Sequence, residues 1–153
     1  MQQQNTLKSL QVLHKAMLLG QVLFTAVVLF LKYSGSFTSS FSHLDKTLQV
    51  FAVAISFAGF FIGSALFKKK VQQARDLSAD IKTKAAAYRS ASIIQWALLE
   101  APCLFCIICF LLVGNYAFIA LAAVLMFWFA LNAPSKIKIM MLLRLSEEEM
   151  ELF

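Results

Sequence analysis

An all-α integral membrane fold, a four-helix bundle made of two transmembrane hairpins with a helical cytoplasmic extension between helices 2 and 3, is predicted by three features of this sequence. First, 60% of the 153 residues are apolar and only 14% are charged, giving a mean hydropathy of +0.74, which is too apolar for a soluble domain of this size. Second, the apolar residues gather into four runs, at about 12–31, 48–67, 91–113 and 116–133. The first three reach the ~20 residues that a hydrocarbon core about 30 Å thick requires, and the fourth approaches it when extended through Asn132 and Ala133. Third, no run alternates apolar with polar residues as a barrel strand does, and none carries the broad polar stripe of a soluble-bundle helix.

Each element has its own local reason. Lys8 and Lys15 flank the first run, whose stretch from Ala16 to Leu31 exceeds the 7–15 residues usual for a signal-peptide core, so a retained span is expected ahead of a cleaved leader at Ser34-Gly35-Ser36. The Ser-, Thr- and Gly-rich segment from Tyr33 to Ser42 ends that helix. In the second run Gly59-Phe-Phe-Ile-Gly63, with Ser56 and Ala52 on the same side, permits close helix approach, within the chain in preference to between two copies. Beyond it Val71, Ala74, Leu77, Ile81, Ala85 and Tyr88 recur at helical steps, which predicts a helical hairpin over 68–90 with Ser78 as N-cap of the returning helix. Gly114-Asn115 is a turn short enough to force the third and fourth helices antiparallel. The fourth helix offers Ala120, Ala123 and Ala130 for packing, and Trp128 is expected to pack or to face lipid. The predicted domains are therefore a transmembrane unit, 1–133, and a cytoplasmic amphipathic tail, 134–153. In that tail Ile137, Ile139, Met140 and Leu143 interleave with Lys136, Lys138 and Arg144, as suits a helix on a headgroup surface. Ser146 with Glu149 reads as a capping box, in a segment that is either a solvated helix end or a docking motif.

Charge sets the orientation. Twelve of the 14 Lys and Arg residues fall before or at the start of the first run, between the second and third, or after the fourth, and basic residues are retained on the cytoplasmic side. Both termini are thus expected in the cytoplasm of a cell whose inner membrane holds the chain. The expected partners are the bilayer itself, anionic headgroups met by Lys68, Lys69 and Lys70, and a membrane-protein partner or a second copy; nucleic acid is not expected, because no recognition pattern accompanies the basic connection.

Little chemistry is encoded in familiar form. Cys103, Cys106 and Cys109 share one apolar helix with no histidine nearby, and three thiols on one helix cannot surround a tetrahedral metal; they are read as small apolar residues. No nucleophile has a neighbouring base and no glycine loop cradles a phosphate, so no catalytic residue, metal or cofactor is assigned and an enzyme is not expected.

The one functional lead is Glu100, the only acidic side chain inside the four runs. Nine rises of ~1.5 Å from Ala91 place it close to the middle of the core. Similar counting brings Gln21 and Ser56 to that depth, with Thr25 about a turn away, and this polar layer contains no cation. A carboxyl without a counter-charge is expected to be neutral there, able to donate to the Gln21 amide oxygen while the amide donates back. Two readings stand. In one, Glu100 and Gln21 tie helices together; in the other, Glu100 loads and releases a proton or cation, helped by Pro102, which frees the Leu98 carbonyl and permits a kink.

Ala97-Leu-Leu-Glu-Ala101, followed by Leu104-Phe105 and an apolar run to Val113, resembles the ion-carrying helix of rotary ATPase c subunits. That resemblance covers about seventeen residues and would give Glu100 the ion-binding role. The chain departs from that family in lacking a glycine-repeat helix and the Arg-Gln-Pro turn, in placing Pro102 beside the carboxyl, and in the side on which its termini fall. Taken whole, it looks more similar to small uncharacterised bacterial inner-membrane proteins with four spans and a Leu-Leu-Glu-type third helix, a likeness that implies a class and no activity.

Overall fold

The computed structural model describes residues 5–37, 41–76 and 80–151. Its elements are α1 (Asn5–Tyr33), a 3-10 turn (Ser42–Leu44), α2 (Asp45–Asp76), α3 (Ile81–Val113), α4 (Tyr116–Leu131), α5 (Lys136–Leu143) and α6 (Glu147–Glu151). No strand occurs among the described residues. The helices α1, α2 and α3 are long and apolar enough to cross a membrane, whereas α4 meets that standard only together with α5, from which it is bent by 74°. The helix of the fourth run stops at Leu131, short of the expected 133, because Asn132 turns out of helical geometry, its amide donating to the Trp128 carbonyl at 2.9 Å, and Pro134 follows. Ser78 and Leu77 lie outside the described residues; α3 starts after Asp80, which makes no side-chain cap.

The central helix is α3, which packs against α1, α2 and α4. The expectation of two side-by-side hairpins needs revision on one point: α1 lies against α3 and α4 in preference to α2. The eight residues from Ser34 to Phe41 are long enough to allow this, and the buried His14 of α1 bonds to the Phe129 carbonyl of α4.

Contact between α2 and α3 is made close by glycine. A Cβ at Gly59 would run into the Leu98 carbonyl oxygen and come 3.3 Å from Pro102 Cγ, whereas one at Gly63 would meet Leu98 Cβ at an ordinary 3.4 Å. The Leu98 carbonyl is the one that Pro102, lacking an N–H, leaves out of the helix ladder. Gly59 therefore seats α2 on the one backbone acceptor in mid-α3 that has lost its donor, as a Cα–H···O contact would.

At one end, the turn between α3 and α4 is closed by Gly114, left-handed at φ 84°, whose N–H donates to the Phe110 carbonyl at 2.7 Å. Asn115 caps α4 by accepting from the Ala117 N–H at 3.0 Å, and its amide donates to both oxygens of Asp45 at 3.1 and 3.0 Å. That joins the start of α2 to the turn. At the other, basic end, the tail does more than lie flat. Ile139, Leu143, Leu145 and Met150 are buried in one core with Leu10, Val71, Tyr88 and Trp96, so the tail folds across the bundle. Ser135 caps α5, Arg144 ends it in the left-handed region at φ 53°, and Ser146 and Glu149 form the capping box reciprocally, at 2.8 and 3.1 Å. Periodicity alone does not choose between lipid and protein as the surface that such an apolar stripe covers.

Candidate functional site

The buried face of α1 is Leu10, His14, Gln21, Thr25 and Val28, at spacings that keep them on one side of a helix. Three of these five are polar, while Val12, Leu19, Leu23, Val27 and Phe30 of the same helix are more than half exposed. Polarity is thus inverted relative to a helix packed in water.

Gln21, 1% exposed, faces the half-buried carboxyl of Glu100 on α3. The two groups are neighbours, but neither Gln21 Nε2 nor Oε1 reaches hydrogen-bonding geometry with any protein group. A buried amide left unpartnered costs ~1–3 kcal/mol, so this pair, with the buried Ser92 hydroxyl on α3, is where polar groups among the described residues stay unsatisfied. Thr25 lies a turn further along, and its hydroxyl donates to the Gln21 carbonyl at 2.8 Å, within its own helix.

Ser56 does not join this layer. Its hydroxyl donates to the Ala52 carbonyl at 2.6 Å and lies beside Cys106, about 5–9 Å along the axis from Glu100 at ~1.5 Å per residue. The position of Gly59 against Leu98 and Pro102 fixes the register of α2 on α3, and with it the displacement of Ser56 toward the far end. Gly59 and Gly63 both face α3.

The three cysteines are buried and free; Cys103 directs its thiol to the Ala122 carbonyl at 3.7 Å, and all three pack with Val28, Ala52 and Phe110. Among the described residues no group of three His, Cys, Asp or Glu side chains is placed to hold a metal ion.

Sequence reasoning missed His14. It is 3% exposed, stacked on Phe129 with ring centroids 4.6 Å apart and edge-on to Trp96 at 5.0 Å. Its Nε2 lies 3.0 Å from the Phe129 carbonyl oxygen; a carbonyl only accepts, so Nε2 carries the proton. One turn earlier, the Gln11 amide donates to the Pro134 carbonyl at 3.2 Å. Together these bonds pin the start of α1 to the corner between α4 and α5. The signal was present: His14 lies four residues after Leu10 and seven before Gln21, on the stripe that the other polar residues share.

No family model matches the chain, and neither a curated protein nor a solved structure matches it. The resemblances drawn above rest on their own residues.

Proposed function

We propose that this chain is a multi-pass protein of a bacterial inner membrane, with α1 to α4 crossing the bilayer and both termini in the cytoplasm, serving as a non-enzymatic structural or accessory subunit. The observation that carries this reading is the inverted polarity of α1: His14, Gln21 and Thr25 are buried while Val12, Leu19, Leu23 and Phe30 face outward. In water that arrangement wastes apolar surface; in hydrocarbon it is the favourable one, since lipid satisfies no polar group. The orientation follows from the basic residues flanking α1 and in the connection of α2 to α3. The side-chain bonds of His14 and Gln11 to the Phe129 and Pro134 carbonyls tie α1 to the end of α4 and the start of α5 and supply interhelical adhesion.

Resistance to alkaline carbonate extraction, with engineered cysteines labelled from outside only in the segment near Ser36, tests the placement. Purification in mild detergent tests the role. A stoichiometric membrane-protein partner or a stable homo-oligomer is expected, and a chain that is monomeric and alone under every mild condition argues against an accessory subunit.

A second reading is favoured by the unpartnered Gln21 amide: Glu100 binds a proton or a cation, with the amide offering a donor to the ionised carboxyl and an acceptor to the neutral one. Glu100→Gln separates the two. A scaffold keeps its fold, insertion and partners; an ion-handling site loses function with fold and insertion intact. Selective, pH-dependent carbodiimide modification of Glu100 supports the second reading, and inertness counts against it.

A further inference from the structure

Between α2 and α4 runs an open groove of about 220 Å³, walled by Phe57, Phe60 and Phe61 on one side and Val124, Leu125 and Trp128 on the other. The hydroxyl of Ser56, which also lines it, is committed to the Ala52 carbonyl, so the groove offers nothing polar to a ligand. Its walls are ordered by ring contacts: Phe60 meets Trp128 edge-on at 4.9 Å and Phe61 at 5.2 Å. Phe57, Phe61 and Trp128 nonetheless stay 59%, 62% and 40% exposed.

The same face of α2 ends in charge. Phe57, Phe61, Ser64 and Lys68 follow one another at steps of four, three and four, which keeps them within about 40° of one line along the helix. Lys68 is exposed and lies roughly 10–16 Å beyond the two phenylalanines along the axis, about half of a 30 Å hydrocarbon core. On the other wall, α4 ends at Leu131 and Lys136, also exposed, opens α5, which packs on α2. No acidic residue occurs in α4, in α5, or in α2 between Asp45 and Asp76, and Asp76, which ends α2, lies eight residues or ~12 Å beyond Lys68 along the axis.

We propose that this groove is a binding site for one anionic phospholipid of the leaflet at the basic end, its acyl chain lying between α2 and α4 and its phosphate met by Lys68 and Lys136. The inference rests on the membrane reading above. It adds to general attraction for headgroups a defined seat, because an apolar slot about one leaflet deep and an exposed cationic end match the two halves of such a lipid.

Trp128 reports occupancy directly, since the other tryptophan, Trp96, is 1% exposed; a Trp128→Phe variant assigns the signal. The full chain is reconstituted in phosphatidylcholine vesicles doped with a minority of phosphatidylglycerol brominated on its acyl chains, or with brominated phosphatidylcholine at the same level. Phosphatidylglycerol is expected to associate about fivefold more strongly for each lysine engaged, and Lys68→Gln with Lys136→Gln to remove that preference while leaving headgroup-independent quenching. Equal quenching by both dopants in the wild-type chain overturns the proposal. So does an inserted chain whose Trp128 is protected from every brominated lipid and whose groove cross-links to a second copy. If Trp128 is quenched by aqueous iodide and by no brominated lipid, the membrane reading itself fails, a result distinct from the other two.

Discussion

Replacing Gly59 by alanine adds one methyl group at the tightest point between α2 and α3. The new Cβ overlaps the Leu98 carbonyl oxygen and lies 3.3 Å from Pro102 Cγ, a backbone atom and a ring atom that cannot swing aside. Gly63, a turn away on the same helix, is the internal control, since alanine there finds its nearest neighbour at 3.4 Å and the next at 3.6 Å. Both substitutions gain the same helix preference of alanine over glycine, ~1 kcal/mol, which cancels in the comparison. What remains is the cost of overpacking, ~1–3 kcal/mol. Gly63→Ala is thus expected to be neutral or slightly stabilising, and Gly59→Ala less stable than Gly63→Ala by about 1–3 kcal/mol. Unfolding in mixed micelles of mild detergent and dodecyl sulfate, followed through the buried Trp96, measures the difference. Adding Pro102→Ala removes the ring and restores an N–H for the Leu98 carbonyl, so it should return part of the loss as a coupling energy. If Gly59→Ala is as stable as Gly63→Ala, the close seat of α2 on α3 is not what holds these helices.

His14→Ala removes a stacked ring, an edge-on ring and a hydrogen bond at once, and a loss of about 3 kcal/mol is expected in the same unfolding assay; His14→Phe, which keeps the rings and loses the bond, should recover more than half of it. Asn115→Ala deletes the cap of α4 and the two bonds to Asp45, for an expected loss of about 2 kcal/mol, whereas Asn115→Asp keeps the cap but sets two carboxylates together and should be no better. Cys103, Cys106 and Cys109 should resist maleimide in the folded protein and react fully once dodecyl sulfate unfolds it; fast labelling of any of them in the native state would show that the core around Phe110 is open.

Helix positions were largely legible because the long apolar runs stand apart from the polar connections between them, and the Gly114-Asn115 turn and the Ser146–Glu149 box were legible because their bonds are local. That Gln21 and Glu100 would be neighbours followed from depth alone, both residues being counted from the same end, whereas the expected exchange of hydrogen bonds between them is not made. Depth counting failed for Ser56, which comes from the opposite end, where the offset depends on how α2 slides along α3, and that is set by the Gly59 contact. His14 was passed over because polar residues at the start of a span read as its flank, although spacing put it on the stripe of Gln21. The inward turn of Ile139, Leu143, Leu145 and Met150 was not legible, since an apolar stripe fits lipid and protein alike.

The polar stripe of α1 also bears on the order of events during synthesis. Its neighbours are α3 and α4, both made after it, and Glu100 emerges about 80 residues behind Gln21, a delay of roughly 4–16 s at the usual 5–20 residues per second. Inserted in a bilayer, α1 would spend those seconds with His14 and Gln21 facing something other than their final neighbours on α4 and α3. On the membrane reading, α1 is therefore the helix whose buried polar face must wait longest for the helices that cover it.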